Sequence, residues 1–236
     1  MRHQTLQKIQ RFLATISFIS IVGIAIVALR LSGYDLPNPL HLLPTGLLGT
    51  LFNREIALIS GHAAYDSGAV CLDAAGNPTI TEQAINASIA ERVAERLRWG
   101  GAAVTILNEF DPRLENLQVD LLVSLHADSC IITSGYKIAY TTRAEVLVMT
   151  TTLDTCFAEN YATATGLSLH ADTITHDMTD YHAFREIAPT TPAVILEMGF
   201  IGGDQQLLTE RSTVVAKGIT DTIRCFFAAQ SAAAEE

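Results

Sequence analysis

Four short apolar runs, at residues 56–60, 103–107, 121–125 and 192–198, constrain the fold more than any other feature of the chain. Each is too short for a buried helix of ordinary length and is flanked by glycine, proline, asparagine or aspartate, so each reads as a buried strand. Between the first two runs, residues 81–99 place small or apolar side chains at Ala84, Ile85, Ala87, Ser88, Ile89, Val93, Ala94 and Leu97. That is the spacing of one helix face, and Gly100-Gly101 ends it. Residues 136–140 read as a further strand, residues 145–165 as a helix ended by Gly166, and residues 213–227 as a last helix. No internal repeat is visible. Strands alternating with helices imply a single α/β domain, with a mostly parallel, mixed, twisted sheet flanked by helices on both faces.

A second feature precedes this domain. Residues 12–29 carry no charge, which is close to the length needed to cross a bilayer as a helix. Arg2, Lys8 and Arg11 precede the run and no acidic residue does, so the positive-inside tendency keeps the N-terminus in the cytoplasm. An uncleaved signal anchor and a cleaved signal peptide both fit. The absence of a small-x-small site near Ala28, where Leu29 and Arg30 follow, favours the anchor. The expected layout is a cytoplasmic tail at 1–11, a transmembrane anchor at 12–29, a linker at 30–53, a catalytic domain at 54–229 and a disordered tail at 230–236. The linker contains Pro37, Pro39 and Pro44. The domain then lies outside the cytoplasm, tethered to the membrane, or secreted if the segment is cleaved. Four cysteines suit an oxidising location. A formal net charge of −10 without a basic stripe excludes nucleic acid as a partner. The sequence does not specify an oligomeric state.

In open α/β sheets, ligands bind beyond the C-terminal ends of the strands. That rule selects His62 after the first strand, His126 after the third and Glu197 at the end of the last, with Glu82 at the start of the first helix. Two imidazoles and a carboxylate can hold a catalytic zinc with one position left for water, and a further carboxylate can move protons. Each residue also has a purely structural reading. His62 can be a loop residue and His126 a satisfied strand-end histidine. Glu82 can close a capping box with Thr79 as N-cap. Glu197 can pair with an arginine such as Arg185. Glu197 nonetheless stands out, because an acidic side chain inside PAVILEMGF is costly without a partner.

These residues resemble a known family. ALISGHAAYDSGA looks like the opening signature of the zinc-dependent N-acetylmuramoyl-L-alanine amidases, with Gly61, His62, Asp66, Gly68 and Ala69 matching. TEQAINASIAERVAERLRWGGAAVTIL resembles the next segment, with Glu82 and Asn86 in register. LLVSLHADS is similar to the second histidine strand through Ser124, His126, Ala127 and Asp128, and TPAVILEMGFI to the last motif through Pro192, Glu197, Gly199 and Phe200. The resemblance implies that His62, Glu82 and His126 bind Zn2+, that Glu197 is the catalytic general base and acid, and that peptidoglycan is the substrate. Asp66, Asn86, Asp128, His182 and Arg185 become candidates for substrate contact or for support of the metal ligands; an arginine suits stem-peptide carboxylates. There are departures. Ala63 and Ala64 replace two glycines of the signature, and Asn108-Glu109 replaces a Thr-Arg that often ends the second strand, with Arg113 nearby as a substitute.

Three further expectations concern the remaining residues. Cys71 and Cys130 each follow a histidine loop on the same sheet edge, so a disulfide between them would brace both loops. Cys156 and Cys225 fall on helices and either pair or remain buried thiols, the latter being favoured. His170, His176 and His182, with Asp177 and Tyr181, form a rival cluster for metal. Two other functions compete with the amidase: an inactive wall-binding or regulatory module of the same fold, and a zinc peptidase acting on stem peptides.

Overall fold

The computed structural model describes residues 49–233, together with residues 17 and 21. Apart from residues 17 and 21, the transmembrane expectation for 12–29 and most of the expected linker lie outside these residues. Among the described residues, no helix is long and apolar enough to cross a membrane.

Strand β1 (Glu55–Ser60) alternates Ile56 and Leu58 with Ala57 and Ile59, and the two sets enter separate apolar layers. The same period of two governs β5 (Leu121–Asp128) and β7 (Ala193–Phe200). Leu121, Val123, Leu125 and Ala127 face one layer with Val194, Leu196 and Met198. Leu122 faces the other with Ala193 and Ile195. The strand period therefore sends Ser124, His126 and Glu197 to this second face. With β4 (Ala103–Leu107) and β6 (Lys137–Tyr140), these strands form a five-stranded sheet in the order β4-β1-β5-β7-β6. The pairs β1–β4, β1–β5 and β5–β7 are parallel, and only β6 runs antiparallel, against β7. The expected mixed, mostly parallel sheet is present.

The first layer is covered by long helices. Helix α1 (Glu82–Trp99) and α2 (Leu147–Cys156) both pack on α5 (Ser212–Ala233). Phe226 and Phe227 of α5 are fully buried, and each such ring contributes roughly 2–3 kcal/mol by leaving water. The second layer differs from expectation. It is covered by short pieces: a 3-10 turn at Pro112–Leu114, a helical turn at His176–Thr179 and α3 (His182–Glu186). Leu114, Met178, Phe184 and Ile187 supply its apolar contacts.

Several boundaries shift. The helix expected over 145–165 is α2, a π-helical turn at Phe157–Tyr161 and a last turn at Ala162–Thr165, ended by Gly166 at φ 78. Helix α4 (Ile201–Thr209) and a hairpin of β2 (Val70–Leu72) with β3 (Pro78–Thr81) are additional elements. Helix α5 runs through Ala233, into the segment expected as a frayed tail. Leu51, placed in the linker by sequence, is buried and belongs to the core, so packing begins before residue 54.

Two disulfides close the fold. Cys71–Cys130 ties β2 to the segment following β5, as expected. Cys156–Cys225 ties α2 to α5, which corrects the preference for buried thiols: packing of the two helices brings the cysteine Cα atoms to 5.8 Å, within the span of a bridge.

Candidate metal centre

His62, Glu82 and His126 meet at the C-terminal ends of β1 and β5. His62 Nε2 and His126 Nδ1 each lie 3.1 Å from the same oxygen, Glu82 Oε1. One ligand atom from each residue lies within 4.8 Å of the others, and no other such group occurs among the described residues. Metal–nitrogen bonds of about 2.0–2.1 Å at tetrahedral angles place ligand atoms roughly 3.3 Å apart, so these separations suit one small cation.

The local backbone explains the convergence. Gly61 leaves β1 without a side chain, and a Cβ there would meet the His126 ring at 2.5 Å. Gly68 sits at φ +59 beside Glu82, where a Cβ would lie 2.5 Å from Oε2. The loop between them is strained: His62 has φ 66 and Ala64 φ 58. Ala64 thus occupies a left-handed position that favours glycine, so its replacement of a signature glycine has a cost.

Glu82 does not close a capping box. Thr81 caps α1 by accepting from the Ala84 N–H, and Glu82 begins the helix. Its Oε2 accepts from Ala69 N at 3.0 Å and its Oε1 from Ala127 N at 3.3 Å. Asn86, one turn along α1 and fully buried, donates to Gly61 O and to Glu82 Oε1, so it supports a ligand and has no exposure to substrate. Asp66 accepts from His62 Nδ1 at 2.5 Å, leaving Nε2 to face the centre.

The electrostatics follow from this packing. Burial raises the Glu82 pKa, but hydrogen bonds from His126 and His62 outweigh it and hold the carboxyl well below its usual range. The Glu82 hydrogen bond lifts His62 to about 9. Burial pushes Glu197 up to about 7. Glu197 pairs in register with His126 across β5 and β7, and with Lys137 across β7 and β6. Its residue as a whole is half-buried, yet its Oε2 is sealed and has no hydrogen-bond partner among the described residues. Lys137, a buried amine absent from the sequence reading, forms an ion pair with Asp128.

Other candidates fall elsewhere. Arg185 is exposed and pairs with Asp180 at 2.6 Å, so it is the partner neither of Glu197 nor of this centre. His170 bonds to Thr173 and His182 to Glu109 and Glu186, so the rival histidine cluster does not assemble. The exposed Arg113 pairs with the buried Asp111. Sequence reasoning gave Glu109 no role at this centre and placed Tyr181 only in the rival cluster. Glu109 is buried, and the Tyr181 hydroxyl donates to its Oε1 at 2.7 Å while lying 2.9 Å from Ser124 Oγ.

An α/β domain that gathers two imidazoles and two carboxylates at the C-terminal edge of a parallel sheet is built as a hydrolytic enzyme. Residues 56–225 match the family model described as N-acetylmuramoyl-L-alanine amidase, and the chain belongs to that family. Solved structures are similar. The catalytic domain of CwlV, an N-acetylmuramoyl-L-alanine amidase from Bacillus (Paenibacillus) polymyxa var. colistinus, is 25% identical. That match covers 72% of this chain and 96% of that one at a TM-score of 0.54. The CwlD amidase from Clostridioides difficile, solved in complex with the GerS lipoprotein, shares 18% identity over 75% and 100% of the two chains at 0.59. Ami1 from Mycobacterium smegmatis shares 16% over 76% and 99% at 0.60. The last two show likeness of fold alone. Comparison with curated proteins finds no match.

Proposed function

We propose that this enzyme hydrolyses the amide bond between N-acetylmuramic acid and L-alanine in peptidoglycan, using a zinc ion held by His62, Glu82 and His126. The observation that carries the reading is the convergence of those three side chains, with Glu197 in register beside His126 on the next strand. Two neutral imidazoles and one carboxylate are a donor set that zinc favours. When bound there, zinc supplies Lewis acidity, polarising the scissile carbonyl and acidifying water.

The chain's own residues do the rest. Glu197 accepts a proton from the attacking water and returns it to the departing nitrogen, as a carboxylate beside the reacting atoms can. Its Oε2 has no hydrogen-bond partner among the described residues. Asp66 and Asn86 orient His62 and Glu82, and the Lys137–Asp128 pair borders Glu197 on the β6 side.

The same reading places residues 12–29 in the membrane as an uncleaved anchor, with residues 30–53 as spacer and the domain on the wall side of the membrane. The test is product analysis on purified peptidoglycan. A freed L-alanine amino terminus with intact glycan supports the amidase. New amino termini within the stem peptide would show a peptidase instead.

A further inference from the structure

Glu109 brings a buried carboxylate to the metal centre from the end of β4. Its Oε2 accepts the His62 backbone N–H at 2.7 Å. Its Oε1 accepts from the Tyr181 hydroxyl at 2.7 Å and lies 3.0 Å from His182 Nε2. Its Oε2 also lies 3.5 Å from His126 Nε2, a sealed ring nitrogen with no hydrogen-bond partner among the described residues. His182 continues the line through Nδ1 to Glu186 at 2.8 Å. Hydrogen bonds thus run from Glu109 through His182 to Glu186, with His126 3.5 Å from the Glu109 end.

The two histidines of the centre face it with different nitrogens. His62 presents Nε2 and is backed at Nδ1 by Asp66. His126 presents Nδ1, so once that lone pair is engaged the ring proton must sit on Nε2. The carboxylate oxygen facing Nε2 belongs to Glu109. A ligating imidazole is ordinarily held by such a partner, which fixes both the tautomer and the ring orientation. A buried carboxylate is costly unless donors surround it, and Glu109 has donors from three residues before His126 is counted.

We propose that Glu109 is the positioning residue for His126. It holds the ring so that Nδ1 faces Glu82 and His62, and its charge strengthens the hold on a divalent cation. The proposal rests on His62, Glu82 and His126 being the metal site. It gives a role to the residue at which this chain departs from the Thr-Arg of the family it resembles.

The experiment uses the full chain purified in detergent, stripped of metal. Zinc affinity is measured by competition with a chromophoric chelator, and the cobalt(II) form is examined by visible absorption. Thermal melting of the metal-free proteins is recorded alongside. Glu109→Gln is expected to fold, to bind zinc about 10–100-fold more weakly and to shift the cobalt bands. Glu109→Asp, which keeps the charge but shortens the reach, is expected to recover part of the affinity. Should Glu109→Gln fail to fold, Glu109→Asp decides alone: weaker binding with shifted cobalt bands supports the role, and wild-type values overturn it. If wild type binds zinc and Glu109→Gln matches it in affinity and spectrum, Glu109 has no positioning role and the metal site stands. If wild type binds no zinc, the metal site and this proposal fall together.

Discussion

His126 on β5 and Glu197 on β7 stand opposite each other in register on adjacent parallel strands. The strand period sends both to the same face of the sheet, and the ends of the strands place both at the mouth of the site. One pairing therefore fixes a proposed ligand beside the proposed base, without any long loop to hold them.

The first prediction concerns Glu197 in the metal-free protein. Burial raises its folded pKa from 4.5 to about 7. The neutral form is thus favoured on folding, and this stabilisation is fully present below about 4.5 and lost as pH rises through 7. Metal-free wild type is expected to lose up to roughly 3 kcal/mol relative to Glu197→Gln between pH 4.5 and pH 8. Urea unfolding at the two pH values, with chelator present, measures it. A difference that does not change with pH would contradict the burial argument.

Metal binding must displace the proton that Glu82 stabilises on His62, whose pKa is lifted to about 9. Zinc affinity is therefore expected to fall about tenfold, or more steeply, for each pH unit below 9. Chelator competition at several pH values between 6 and 8 gives the slope. A flat profile would contradict the raised pKa of His62.

Ala64 holds φ 58, which costs a residue with a Cβ roughly 1–2 kcal/mol. Ala64→Gly is expected to stabilise the protein by about 1 kcal/mol after the extra chain entropy of glycine is counted. Chemical denaturation of the two proteins checks this, with destabilisation as the contrary result.

Cys71–Cys130 closes a sequence separation of 59 residues and ties the first histidine loop to the segment after Asp128. Its loss, in Cys71→Ser with Cys130→Ser, is expected to cost roughly 4 kcal/mol through the freed unfolded chain. The same variant is expected to weaken zinc binding, because both ligand loops lose their brace. Mass spectrometry of the untreated protein must first find both bridges formed.

Much of this was legible in the residues. The four apolar runs became β1, β4, β5 and β7, and the strand-end rule selected His62, His126 and Glu197. The same rule points to Glu109, which follows β4, but an acidic residue next to Asn108 and before Phe110-Asp111-Pro112 reads as an ordinary turn. Lys137 was hidden inside a short apolar run, where a lysine suggests an edge strand before it suggests a buried ion pair. Helix α4 was masked by Gly202-Gly203, which weaken the local helical signal. Arg185 looked free to bind a carboxylate because the sequence cannot show that Asp180 already holds it. The Cys156–Cys225 bridge depends on how α2 and α5 cross, and that angle is set by packing alone.

The most direct test compares wild type with Glu197→Gln for bound zinc and for stem-peptide release from purified peptidoglycan, using the full chain in detergent. The account predicts about one zinc per chain in both proteins and a fall in release of about 10²–10⁴-fold in the variant. Equal rates in the two proteins, or a wild type that releases stem peptide with no metal bound, would contradict it.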